Sequence, residues 1–109
     1  MPEDINRQLA LTADLVAQRL SMGDKADVPR RVDHLAFFTK GSVDAAVRDL
    51  EVAGFAVADV RRKLFKVSVE FHRTDPCDRE SAAAFTSQVI AIVNKHDGRY
   101  DGWAAFLSE

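Results

Sequence analysis

The sequence is poor in cysteine, proline and glycine. Its 109 residues include one cysteine, three prolines and five glycines. A single cysteine, Cys77, cannot form an internal disulfide, and this is typical of a protein from a reducing cytoplasm. The length is enough for one domain and too short for two, so we expect residues 1–109 to form one domain around one core.

Long apolar runs and a large excess of one charge are also missing. No stretch approaches the length of a membrane span, although 47% of the residues are hydrophobic. The first residues carry acids and an arginine where a signal peptide needs an unbroken apolar core. The net charge of −2 argues against a general affinity for nucleic acid. We therefore expect a cytoplasmic protein that contacts no membrane and does not bind nucleic acid directly.

Helix and strand patterns alternate regularly along the chain. Apolar residues at steps of three and four predict an amphipathic helix within residues 1–22. Residues 23–32 contain a glycine and a proline and are interpreted as a linker. In the remaining core, residues 33–109, the order is strand, helix, two strands, helix and strand. This order favours an α+β fold: a ferredoxin-like sandwich (βαββαβ) with an antiparallel sheet and an additional N-terminal helix.

The stretch "LFKVSVEFH", residues 64–72, is the clearest strand. Phe65, Val67, Val69 and Phe71 alternate with polar residues, which predicts one buried face and one solvated face. The preceding "RRK" is expected to form the tip of a hairpin. Such basic clusters are usually solvated, but this one could contact an acidic partner or a phosphate; it consists of Arg61, Arg62 and Lys63.

The last helix is expected to begin at "TDPCDRE", with Asp75 as its cap and Cys77 in its first turn. That position can lower the pKa of a thiol. A nucleophile also needs a base, however, and the sequence indicates none. Cys77 is therefore interpreted as a structural residue.

No pattern in the chain indicates catalysis. His34, His72 and His96 lack the spacing of metal ligands, and the loops lack the glycine patterns that bind phosphates. We expect a protein that is not an enzyme, with no catalytic residue, no metal site and no cofactor.

The stretch "HDGRYDGW", residues 96–103, allows two interpretations. Structurally, Gly98 ends the helix, Asp101 and Gly102 allow a turn or bulge, and Trp103 packs into the core. Functionally, the aromatic residues could anchor a contact with a partner, with Tyr100 at its rim, because tyrosine and tryptophan are preferred at interfaces. The residues of this second interpretation are Arg99, Tyr100, Asp101 and Trp103.

This ending, and the elements before it, resemble the ribonuclease E inhibitor B family of RraB-like regulators. "RYDGW" follows a helix that ends in "KHDG", and "DHLAFF" is followed by a helix that ends in "AGFAV". The resemblance implies a ferredoxin-like fold and a non-catalytic regulator. Such a regulator binds ribonuclease E, or a related protein, and modulates RNA processing and decay by protein contact. The matching residues are Tyr100, Asp101, Gly102 and Trp103.

One departure from the family leaves other partners open. The central hairpin of the family is often longer and strongly acidic, whereas the tip here is "RRK", which weakens the electrostatic argument for the same partner. A small-molecule-sensing module would need a pocket with convergent polar groups. A weak RNA-binding module would show binding that depends steeply on salt. Assembly into a homo-oligomer is also left open.

Overall fold

The computed structural model describes residues 2–108, which form three helices and four strands; residues 1 and 109, the ends of the expected domain, lie outside this range. The strands build one antiparallel sheet in the order β2-β3-β1-β4. The α+β class and the additional N-terminal helix are thus confirmed. The elements are α1 (Ile5–Ser21), β1 (Arg30–Phe38), α2 (Val43–Val52), β2 (Ala56–Arg62), β3 (Val67–Asp75), α3 (Arg79–Lys95) and β4 (Arg99–Ala104).

The core lies between one face of the sheet and the helices. Val69 and Phe71 of β3 pack there with Leu50 of α2 and Val89 of α3. Val16 of α1 joins a second cluster with Phe85 of α3. No helix of the described residues covers the other side of the sheet, which we call the open face. Its side chains are exposed or half-buried, and they include Asp33, Leu35 and Phe37 of β1 and Ser68, Glu70 and His72 of β3.

The hairpin between β2 and β3 differs from the expectation in two respects. Arg61 and Arg62, expected at its tip, are paired in β2. The prediction that Phe65 lies in the core is wrong: its side chain is 86% exposed. Strand pairing ends where Arg62 faces Val67, and the Lys63 N–H donates to the Lys66 carbonyl at 2.9 Å. Residues 63–66 therefore form the turn, because the alternating pattern continues past the point where pairing stops.

The start of α3 also differs from the expectation. The cap is Asp78, whose Oδ2 accepts from the Ser81 N–H at 3.1 Å, and not Asp75, which ends β3. Cys77 precedes the helix and is buried, and its N–H donates to the Ala26 carbonyl at 2.8 Å. Burial raises the pKa of the Cys77 thiol, so its surroundings favour the protonated, unreactive form.

In the turn between α3 and β4, the role of Gly98 differs from the expected one. The left-handed residue that ends the helix is Asp97, with φ of 53°. A Cβ on Gly98 would lie 2.5 Å from Cε1 of Phe38 and 2.8 Å from the carbonyl oxygen of Phe37. Gly98 is therefore required by the close approach of β1, which fixes where β4 begins.

A buried ionic cluster joins the segment between α1 and β1 to the C-terminal residues. The Asp24 side chain is fully buried, accepts from the Ser108 N–H at 2.7 Å and from Arg30, and lies 3.6 Å from Arg19. Arg19 also donates to the carbonyls of residues 105 and 106. Burial alone would raise the pKa of Asp24, but the Ser108 N–H and the two guanidinium groups outweigh it, so the pKa lies below its ordinary value. We call Arg19, Asp24 and Arg30 the Asp24 cluster.

Candidate functional site

A cleft of about 440 Å³ lies between α1 and the edge strand β4. One wall is the face of α1 that carries Arg7, Leu11 and Leu15, and Leu11 is 49% exposed. The other wall is the stretch from Arg99 to Trp103. All four residues that the sequence suggested as partner contacts are thus brought together along this cleft.

A bulge in β4 gives this wall its shape. Trp103 faces His34 across the sheet and Tyr100 faces Ala36, so two residues of β4 lie opposite Leu35 alone. These two residues are Asp101 and Gly102, as the sequence suggested, and Gly102 has a φ of 103°. Residues three apart on a regular strand point to opposite faces, whereas a bulge lets both point the same way. Tyr100 and Trp103 therefore both reach the helix layer.

The side chain of Tyr100 is an internal anchor of β4. It is 5% exposed, and its hydroxyl lies 2.7 Å from Nδ1 of His34, which is also buried. Burial raises the pKa of Tyr100. Burial, aided by the charge of Arg73, lowers the pKa of His34 to about 3, so the imidazole is neutral at neutral pH. The structure thus places the Tyr100 side chain in the core and not at the rim of a contact patch.

Two threonines fix α1 against the rest of the domain beneath the cleft. The hydroxyl of Thr12 lies 2.8 Å from that of Thr86 on α3 and accepts from the Trp103 indole N–H at 3.3 Å. Trp103 is half-buried, and its ring packs edge-to-face on Phe85 at 5.1 Å. The expectation that Trp103 joins the core is met in part, and the cleft is a preformed feature of the fold.

Glu3 occupies the outer edge of β4. One carboxylate oxygen accepts from the Tyr100 backbone N–H at 3.3 Å, and the other accepts from the Gln8 side chain at 2.8 Å. The backbone of Glu3 is held by the Asn94 side chain on α3. An outward N–H of an edge strand is a donor that an added strand can use. Sequence reasoning missed Glu3, and no local signal connects residue 3 with residue 100.

The basic residues of the hairpin lie far from this cleft in the sheet. Arg61 and Arg62 end β2, at the opposite edge from β4, and Lys63 begins the turn. Arg61 forms an ion pair with Asp59 at 2.7 Å, and Arg62 forms one with Asp44 at 3.3 Å. The structure therefore separates the two groups of residues that the sequence suggested.

Other titratable groups of the described residues do not assemble into a metal site. Hydrogen bonds from His96 and Lys95 lower the pKa of Asp49. These bonds join α2 to the end of α3. Within residues 2–108, no helix is long and apolar enough to cross a membrane.

The fold and the cleft define a small α+β protein with a cleft at one edge of its antiparallel sheet. A family model described as regulator of ribonuclease activity B matches residues 10–104. Because the match covers most of the sequence, the chain belongs to this family of regulators, and the resemblance seen in the sequence is confirmed. No curated protein matches the chain.

Proposed function

We propose that the protein is a non-catalytic regulator that binds ribonuclease E, or a related ribonuclease, and modulates RNA processing and decay by this contact. The observation that carries the proposal is the position of residues 99–103. They belong to the region that matches the family of ribonuclease regulators, and they form one wall of a preformed cleft. A regulator of this kind needs an exposed binding site and no reactive group of its own.

The proposed contact is an extended segment of the ribonuclease laid along β4. A backbone carbonyl of the segment would replace the Glu3 carboxylate on the Tyr100 N–H, and so add a strand to the sheet. Apolar side chains of the segment would cover Leu11 and Leu15, which α1 presents across the cleft. Backbone hydrogen bonds supply affinity in this mode, whereas the side-chain pockets supply specificity.

We also propose that the domain is a ferredoxin-like sandwich and that it works in the cytoplasm. The chain order after α1, which is strand, helix, two strands, helix and strand, supports the first point, together with the central position of β1 between β3 and β4. The only cysteine of the sequence, which is buried and unpaired, supports the second.

The Leu11→Glu variant tests the proposed contact. We expect it to weaken binding to purified ribonuclease E by about 30-fold, the effect of losing an interface anchor worth about 2 kcal/mol. Isothermal titration calorimetry measures the dissociation constant directly. The Leu20→Glu variant is a matched control, because Leu20 lies on the same helix and is 51% exposed but does not line the cleft.

Circular dichroism first shows that both variants keep the fold of the wild type. Equal losses in the two variants would mean that charge on α1, and not the cleft, weakens binding. Absence of binding by the wild type would refute the proposed partner.

A further inference from the structure

A second surface with defined chemistry lies where the open face meets the hairpin turn. Phe37 of β1 is half-buried there, with the Lys66 ammonium 4.4 Å from its ring centroid and the Arg99 guanidinium 5.6 Å away. Phe65, in the turn, is 86% exposed. The two rings and the two cations line a shallow pocket of about 310 Å³. We call Phe37, Phe65, Lys66 and Arg99 the aromatic-cation patch.

The cations of this patch contact the Phe37 ring but have no carboxylate partner among the described residues. Within residues 2–108, neither Lys66 nor Arg99 belongs to an ion pair, whereas most guanidinium groups on the sheet have a carboxylate partner. Two acids also line the pocket. Of these, Glu3 is already hydrogen-bonded to Gln8 and to β4. Asp97 remains as an exposed acid beside the two cations.

The remainder of the open face has the opposite character. Asp33 and Glu70 are exposed in its middle, and Arg31 at the far end is paired with Asp33 at 2.8 Å. The arginines of this part, Arg31 and Arg61, are paired with carboxylates, so the proposed binding surface is limited to the end near the turn. Positive charge beside an exposed aromatic ring, in a chain of net charge −2, is a local feature of this end.

We propose that the aromatic-cation patch binds single-stranded RNA, with a base stacked on Phe65 and phosphates held by Lys66 and Arg99. Every base has a π face, and proteins that bind single strands without sequence preference combine aromatic rings with cations in this way. An acidic peptide would satisfy the cations but gain little from the rings. Phe65, which the alternating pattern placed in the core, is exposed and can stack on a base.

The site is small and adjoins the proposed ribonuclease contact, since Glu3 and Arg99 line both pockets. One stacked base and two phosphate contacts give a dissociation constant of about 10⁻⁴ M, the weak end of the range for non-specific binders. Such a contact would hold a strand beside the regulator without competing for the face of α1 that carries Leu11.

The test is fluorescence anisotropy of a labelled oligouridylate of about ten nucleotides, a length within the usual site sizes, titrated with the full chain. We expect Phe65→Ala to weaken binding about tenfold, because a stacked base is worth that much in alanine substitutions. The matched control is Leu64→Ala, since Leu64 is 75% exposed in the same turn but does not line the pocket. Leu64→Ala should bind as the wild type does.

The charge contribution is tested by the dependence of binding on salt. We expect Lys66→Ala to reduce the slope of log K against log salt by about 0.7, the value for one phosphate contact with a single strand. Arg31→Ala, at the far end of the same face, should leave the slope unchanged. Equal affinities of the Phe65→Ala and Leu64→Ala variants would overturn the proposal. So would displacement of the RNA by polyglutamate as effective as by unlabelled RNA, since the patch would then be a site for acidic proteins.

Discussion

Replacement of Asp24 by alanine is expected to lower the free energy of unfolding by about 3 kcal/mol, the cost of removing one partner of a buried ion pair. The Asp24 carboxylate is fully buried, and the side chains of Arg19 and Arg30 are only 9% and 11% exposed. Without the carboxylate, two guanidinium groups remain buried beside each other, and the Ser108 N–H loses its acceptor. Both effects act against the folded state.

Urea denaturation of the wild type, Asp24→Ala and Asp27→Ala measures this effect. Asp27 is an exposed acid of the same connecting segment, so its loss should change stability by less than about 0.5 kcal/mol. The effect of Asp24 also depends on pH in a defined direction. Its pKa in the folded protein lies below the ordinary value of 3.8, so its contribution is present above about pH 4 and is lost as the pH falls further. Equal stabilities of the two variants at pH 7 would contradict the role of the Asp24 cluster.

Replacement of Gly98 by alanine is expected to cost about 3 kcal/mol, the upper end of the usual range for an overpacked position. The added Cβ would lie 2.5 Å from a buried ring and 2.8 Å from a backbone oxygen of β1. The Phe38 ring is 2% exposed and has no free space to enter, and the oxygen belongs to a strand that is paired on both sides. The strain must therefore move β4, which forms one wall of the cleft.

Thermal or urea denaturation of Gly98→Ala beside Gly41→Ala measures this cost. An added Cβ on Gly41 meets no atom within 4 Å, so that variant should be nearly as stable as the wild type. Because the strain falls on β4, Gly98→Ala should also bind the ribonuclease more weakly at a temperature where it remains folded. A stability equal to that of Gly41→Ala would show that β1 yields easily, and would contradict the close approach.

Much of the fold could be predicted because its signals are local. The alternation of Val67, Val69 and Phe71 sets the buried face of β3, and the Asp101–Gly102 pair marks the bulge of β4. The predictions of the α3 cap and of the Phe65 position were wrong because two local signals compete there. Asp75 and Asp78 can each cap a helix, and pairing of β3 with β1 up to Asp75 decides between them. Alternation extends through Phe65, and only the register of the hairpin shows that pairing has ended.

The candidate cleft could be predicted only in part, for a related physical reason. The β4 wall is one continuous stretch of sequence, so its residues could be suggested together. The α1 wall and Glu3 lie more than 80 residues away along the chain, and their approach depends on how the first helix packs. Asp24 follows a glycine in a polar segment and resembles a solvated turn residue, although its partners bury it completely.

The central claim, that the ribonuclease binds along β4 and α1, is tested most directly by hydrogen–deuterium exchange of the protein with and without ribonuclease E. We expect slower exchange in the complex for the amides of residues 99–103, because an added strand replaces Glu3 and excludes water from this edge. At the same concentrations, this protection should be much smaller with the Leu11→Glu variant. Unchanged exchange at residues 99–103, together with protection at β2 or elsewhere, would place the ribonuclease on another surface and contradict the claim.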